Sequence, residues 1–424
     1  MASKNILSSR LVMDFIYMFF SNIVKKGFGF FREIIFASIF GSSMIYANFL
    51  LLRTVSDLFS QLTQGSALQA SLLSKFSKLY SSGEKISLSN IFSFSKKITW
   101  SLFWLSQCIQ IPIVFYINPS NFWVFIFISL LLGVIVSVNF YSSIFLIIIQ
   151  GKGQFKKHSS ATTVDMFIST VILYPLSLFF GVLGIAISRI IGLFSMIYLY
   201  FTPMFKELKG KNVGFGTKDI NISIMLLGNF ANIIMLLSRF AAGLDNDNNI
   251  SFFNYSIVLL NALLTAVILN LNTIVLRRLS VKKEVKLIVF SVFVSLCLGI
   301  GLVYVIDVFG FNIIQFIFQR GVFSLEDTLQ TVSYAKDLSV SFIFIFMASA
   351  LFQPYFSLDH ELIKKESKVM ALSLVAVSLI LFISFNFTLT SANENSLIMI
   401  YTLSILSFFL SIYSSYKYFN INKS

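Results

Sequence analysis

A chain of 424 residues that is 57% hydrophobic and 12% charged cannot form a water-soluble surface, since soluble domains carry about a quarter charged residues. Residues 124–149 hold no charge at all, and that run exceeds the ~20 residues that cross a bilayer as a helix. The composition predicts an all-α polytopic membrane protein and excludes a soluble enzyme, a disulfide scaffold and a disordered chain. The net charge of +14 is read as membrane topology rather than nucleic-acid binding, because excess Lys and Arg collect in cytoplasmic loops.

Taken in chain order, the apolar runs predict twelve spans: 11–38, 46–72, 98–117, 121–149, 160–180, 182–203, 220–243, 251–276, 286–308, 337–357, 369–389 and 395–416. The runs are too long and continuous for barrel strands, which alternate in polarity. Lys4 and Arg10 precede an apolar run that continues into Lys25 and Lys26 with no small-residue cleavage site, so no cleavable signal peptide is expected. Cys108 and Cys297 lie in apolar stretches and read as small core residues. With both termini on one side, 24 of the 32 Lys and Arg fall in loops of that side, and only Arg320 and Lys336 in loops of the other. That asymmetry predicts cytoplasmic termini. A charged link at 206–218 separates six spans from six, giving an N-lobe of spans 1–6 (1–208) and a C-lobe of spans 7–12 (209–424).

No cofactor or metal is expected. The segment GKGQFKK at 151–157 is a short basic loop rather than a phosphate-binding loop. His158 and His360 are placed in charged loops, and neither a metal-ligand spacing nor a nucleophile–base pair occurs, so an enzyme is not expected.

The informative residues are charges inside the spans, where each costs at least ~2.5 kcal/mol unless it faces a bundle interior or a cavity. Six are basic: Lys25, Lys26, Arg32, Arg53, Arg189 and Arg239. Four are acidic: Asp14, Glu33, Asp57 and Asp165. The excess of bases suits an anionic substrate such as a phosphate or pyrophosphate. Lys26, Arg32, Arg53, Arg189 and Arg239 are the candidate substrate-binding cations, and Asp57 and Asp165 the candidate coupling carboxylates. Plainer readings stand beside these. Arg53 and Asp57, four apart, could neutralise each other. Arg32, Arg189 and Arg239 could snorkel to an interface. Asp165 could be an ordinary helix-end carboxylate. Lys25 and Lys26 are adjacent and cannot point the same way.

Several segments resemble the MurJ/MviN family of lipid II flippases, within the superfamily of multidrug, oligosaccharide-lipid and polysaccharide exporters. GFGFFREIIFASIFGSS (27–43) is similar to the family's first-span signature, SRFAAGLDNDNNISFFNY (238–255) to its turn between spans 7 and 8, and LNTIVLRRLS (271–280) to the end of span 8. FQRGVFSLEDT (318–328) resembles its outer-loop motif and FQPYFSLD (352–359) its span 10 exit. The resemblance implies two six-helix lobes around a central cationic cavity with alternating access. It also implies movement of an undecaprenyl-pyrophosphate-linked saccharide out of the cytoplasm. The family's two span 1 arginines fall on Lys26 and Arg32, its span 2 acid at or next to Asn48, and its span 8 arginine on Val258. Arg239 matches a basic position in span 7, preceded here by Ser238 rather than an acid. The family's two further C-terminal spans have no counterpart in the twelve read here.

The expected function is a flippase in a bacterial inner membrane, carrying an O-antigen- or capsule-type repeat unit or lipid II. A glycan polymerase or glycosyltransferases are the protein partners such a role implies. The competing readings are a cation-coupled multidrug antiporter of the same superfamily and a non-transporting scaffold for glycan assembly.

Overall fold

A computed structural model describes residues 2–63, 68, 72, 76, 80, 83, 88–202, 222–245, 247–268, 271, 272, 275, 279, 285–358, 360–385, 387 and 390–423. The expected link at 206–218, the boundary at 208/209 and the basic loop residues 75, 78, 85, 277, 278, 282 and 283 lie outside the described residues. So do the side chains of 2–19, Asp14 among them.

The described chain is helical. The helices are α1 (Ala2–Phe40), α2 (Met44–Thr63), α3 (Leu88–Ile117), α4 (Phe122–Gly151), α5 (Phe155–Phe180) and α6 (Val182–Met196), then α7 (Ile222–Gly228), α8 (Phe230–Ala241), α9 (Asn249–Leu263), α10 (Val285–Phe318), α11 (Leu325–Phe356), α12 (His360–Phe385) and α13 (Ala392–Lys423). A π-helical turn extends α6 over Ile197–Phe201, and another extends α9 over Leu264–Ile268. Among the described residues eight helices are long and apolar enough to cross a membrane, and the bent pair α7–α8 makes a ninth candidate. The three other expected spans fall on α1, α2 and α9. The chain is an all-α polytopic membrane protein.

Several details differ from the sequence reading; α3 and α12 begin earlier than expected, at Leu88 and at His360, which is thus helical. The span expected at 220–243 is broken at Asn229, where α7 and α8 meet at 77°. The helix expected at 286–308 runs on to Phe318, and the one expected from 337 begins at Leu325. Ser324 caps α11 with a reciprocal box: Asp327 N–H donates to Ser324 Oγ (3.1 Å), and Ser324 N–H donates to Asp327 Oδ2 (2.8 Å). The polar residues after it looked like a loop, but Thr328, Thr331, Ala335 and Leu338 bury one helical face. Lys336 is therefore a helical residue, paired with Asp307 of α10 at 2.9 Å. His158 is not in a loop either: it is buried in α5, 3.1 Å from the Gln150 amide nitrogen. Cys108 and Cys297 are exposed rather than core residues, as expected of apolar positions on helices whose outer surface is itself apolar.

The chain divides into two compact units. Unit 1 takes Met1–Ile35 and Val55–Met225, and unit 2 takes Phe36–Thr54 and Leu226–Ser424. The corner between α1 and α2 thus packs with the C-terminal half of the chain, although the sequence division counts it with the N-terminal half. Unit 1 is stitched by polar contacts: Gln107 Nε2 donates to the Ser129 carbonyl (2.9 Å), and Asn139 Nδ2 donates to Ser60 Oγ (3.1 Å).

In unit 2 three of the segments singled out in the sequence meet around the α1–α2 corner. Val322 N–H donates to the Ser38 carbonyl (3.0 Å). The Ser42 hydroxyl donates to Asp327 Oδ1 (2.5 Å), and Tyr255 Oη donates to the Gly41 carbonyl (2.8 Å). Tyr255 stacks on Tyr46 (5.9 Å) and meets Phe318 and Phe323, each at 5.2 Å. Gly321 has φ +59°, and a Cβ there would lie 2.1 Å from the Ser38 carbonyl oxygen.

Gly321→Ala should therefore combine left-handed strain with a backbone clash, at more than about 2 kcal/mol. The purified variant is expected to unfold at clearly lower temperature than wild type in the same detergent. An unchanged melting temperature would contradict the clamp.

Candidate functional site

The charged residues predicted from the sequence are all on described helices, and the two units accommodate them differently. In unit 1, Gly181 turns α5 directly into α6, and the two helices pack antiparallel. A Cβ on Gly192 would meet the Asp165 carbonyl oxygen at 2.7 Å, Ser169 Cβ at 2.8 Å and Asp165 Oδ1 at 2.9 Å. Only a residue without a side chain permits this approach. One turn earlier on α6, Arg189 Nη1 lies 2.8 Å from both carboxylate oxygens of Asp165. The two side chains are 17% and 8% exposed, so this is an interior ion pair. The structure joins two residues that the sequence had given separate roles, a substrate-binding cation and a coupling carboxylate.

On α1, Lys25 and Lys26 diverge as adjacent helical residues must: Lys25 is half-buried and Lys26 exposed. Arg32 and Glu33 are both buried in unit 1. Asp57 is partly buried on α2.

In unit 2, Arg239 is 6% exposed, near the end of α8. Its Nε donates to Thr54 Oγ1 (2.7 Å) and its Nη1 to Asn254 Oδ1 (2.8 Å). Thr54 passes its own proton to the Leu50 carbonyl (2.7 Å). Arg239 thus ties α8 to α2 and α9 through hydrogen bonds to uncharged groups. Arg53, beside Thr54, sets its guanidinium over the Phe36 ring at 5.5 Å. Asn48 is buried and Val258 partly buried in the same unit. No group of three or more metal-ligating side chains occurs among the described residues.

Thr54, Asn254 and Gly192 were not foreseen. Thr54 and Asn254 are neutral and carry no motif. Gly192 had a usable signal, standing three residues after a charged residue in an apolar helix.

Interior ion pairs and hydrogen-bonded arginines within a bundle of long apolar helices are features of membrane transporters. Comparison with solved structures gives the same architecture. The chain is similar to the lipid II flippase MurJ in its inward closed conformation, with TM-score 0.68 and 16% identity over 95% of this chain and 87% of that one. It is also similar to a multidrug resistance MATE family transporter of the MOP superfamily. The inward-facing form gives TM-score 0.61 at 11% identity, covering 97% of this chain and 96% of that one. The outward-facing form gives 0.56 at 12% identity, covering 96% and 95%. The chain has the fold these transporters share. No protein-family model and no curated protein sequence matches it.

Removing one partner of a buried ion pair leaves an uncompensated charge, at about 3 kcal/mol or more. Asp165→Ala should accordingly destabilise the purified protein more than the double change Asp165→Ala with Arg189→Ala. Equal or additive losses in a thermal-unfolding double-mutant cycle would show that the pair is not coupled.

Proposed function

We propose that the chain is a flippase that carries an undecaprenyl-pyrophosphate-linked saccharide from the cytoplasmic to the outer leaflet of a bacterial inner membrane by alternating access. The observation that carries this reading is the set of cations on interior helices, above all Arg239, buried and hydrogen-bonded to Thr54 and Asn254. A guanidinium offers planar, charge-assisted donors that suit an anionic headgroup. Lys26 and Arg32 in unit 1, and separately Arg53 and Arg239 in unit 2, are the cations proposed to serve an anionic headgroup, while Arg189 pairs with Asp165. The similarity in fold to the lipid II flippase MurJ supports a lipid-linked substrate. The saccharide is a surface-polysaccharide repeat unit or lipid II.

The fold is equally that of drug exporters, and this supports a second reading, cation-coupled export of drugs. Such a mechanism needs a carboxylate free to exchange protons or cations. Asp57 and Asp165 are the candidates for that role, and Asp165 is hydrogen-bonded through both oxygens to Arg189.

Arg32→Ala, Arg53→Ala and Arg239→Ala should each lower glycan export in a complemented deletion strain without lowering the amount of inserted protein. Full complementation by all three would overturn the cationic mechanism. Two hosts separate the substrates, one depleted of its lipid II flippase and the other deleted for its O-antigen flippase. Rescue of growth in the first identifies lipid II, and restored polysaccharide in the second identifies a repeat unit. The proposed orientation places residue 424 in the cytoplasm. In a background lacking Cys108 and Cys297, Ser424→Cys should be labelled by an impermeant thiol reagent only after the membrane is opened.

A further inference from the structure

The chain has three tryptophans, and all of them lie on one flank of unit 1. Trp100 and Trp104 are on α3, and Trp123 is in the first turn of α4. They are 55%, 59% and 80% exposed. Lys97, Trp100, Trp104, Cys108 and Phe115 stand at i, i+3, i+7, i+11 and i+18, which is one face of an α-helix, and all five are exposed. Ser106 and Gln110, on the opposite face, are buried. Ring contacts tie the flank together at both ends. A Cβ on Gly133 of α4 would lie 3.1 Å from the Phe103 ring, so the glycine seats that ring on α4. Phe103 in turn meets Trp100 at 6.2 Å and Trp104 at 5.4 Å, edge-on in both cases. At the other end Phe115 meets Phe122 at 5.0 Å and Phe122 meets Trp123 at 5.6 Å, again edge-on.

Charge is confined to one end of this flank. Lys96 and Lys97 are exposed and, among the described residues, make no ion pair, whereas residues 98–151 carry no charge. From Lys97 to Phe115 the helix rises about 27 Å, close to the ~30 Å of a hydrocarbon core. Trp104 lies ~10 Å beyond Lys97, deeper than the headgroup layer in which interfacial tryptophans anchor a span. Cations at one edge and rings along a face of bilayer length complement a lipid with an anionic head and a long tail. A two-fold dimer formed through the flank, about the membrane normal, would instead set Lys97 against Lys97. Ring faces carry partial negative charge. They suit the polarised C–H groups beside double bonds, which recur along a polyprenyl chain and are few in an acyl chain.

We infer that this flank of unit 1 docks the polyprenyl tail of the carried lipid, with Lys96 and Lys97 on its pyrophosphate, as a loading surface outside the bundle. The inference rests on the proposed flippase reading, whose orientation puts the lysine end at the cytoplasmic leaflet.

Because every tryptophan lies on the flank, intrinsic emission reads that surface alone. The full-length protein is placed in nanodiscs of phosphatidylcholine with brominated acyl chains, which quench the tryptophans they touch. Unbrominated undecaprenyl pyrophosphate should restore the emission saturably, at a few molecules per protein. Unbrominated phosphatidylglycerol should restore it only in proportion to its share of the lipid. Lys96→Gln with Lys97→Gln should raise the undecaprenyl pyrophosphate needed about tenfold, and Lys96→Arg with Lys97→Arg should leave it unchanged. Equal recovery with the two lipids, or unchanged affinity in the Lys96→Gln, Lys97→Gln protein, would overturn the inference. Emission that the brominated lipid does not quench would mean that protein covers the flank, and would overturn it too. A parallel transport assay separates this surface from the flippase reading. Flipping of the lipid-linked saccharide by a protein whose emission undecaprenyl pyrophosphate does not restore overturns the docking surface alone. Restored emission without flipping keeps the docking surface and overturns the flippase reading.

Discussion

A charge inside hydrocarbon is costly unless it finds a partner or neutralises, and the Asp165–Arg189 pair and the buried Arg239 both answer that constraint. The units meet it in two ways. Unit 1 closes Asp165 on Arg189 across the α5–α6 hairpin, with Gly192 allowing the close approach. Unit 2 holds Arg239 by Thr54 and Asn254, which position the guanidinium. The first arrangement joins an acid and a base across two packed helices. The second fixes the direction of a buried guanidinium between α2, α8 and α9.

The α1–α2 corner gives the same residues a mechanical setting. Its backbone is held by Val322 and Tyr255 and its Ser42 by Asp327, so Phe36–Thr54 belongs to unit 2 although the rest of both helices belongs to unit 1. Arg53 and Thr54 lie at the end of that clamped stretch. The segments around Gly41, Tyr255 and Gly321 are thus explained as one packed corner: a left-handed glycine against a carbonyl, a tyrosine that bonds and stacks, and a capping box whose aspartate also receives a serine.

Much of this was legible in the sequence, for reasons that also explain the rest. Long apolar runs located most of the helices, because a bilayer imposes length on a spanning helix and the runs lack the alternation of barrel strands. The start of α11 was missed because its first three turns carry polar residues on the outer face. The S-x-x-D spacing at Ser324 and Asp327 was the available signal. The cysteines were misjudged because apolar surroundings in a membrane protein do not distinguish interior from lipid-facing positions. At the site, charge type alone pointed to Arg239 and Asp165, since a charge in a span is conspicuous. Their partners were not visible: Thr54 is 185 residues from Arg239, and neither it nor Asn254 is unusual in a helix. The Asp165–Arg189 pair was within reach, since consecutive spans joined at Gly181 must pack antiparallel and carry one acid and one base.

The central claim is that the interior cations serve an anionic lipid-linked headgroup. The direct measurement is transport by the purified protein in sealed proteoliposomes, offered in parallel a fluorescent undecaprenyl-pyrophosphate-linked saccharide and a lipophilic cationic dye. The account predicts that the pyrophosphate lipid changes leaflet in a protein-dependent manner, that inorganic pyrophosphate competes, and that the dye does not move. Dye movement driven by an ion gradient, with no movement of the pyrophosphate lipid, would contradict it.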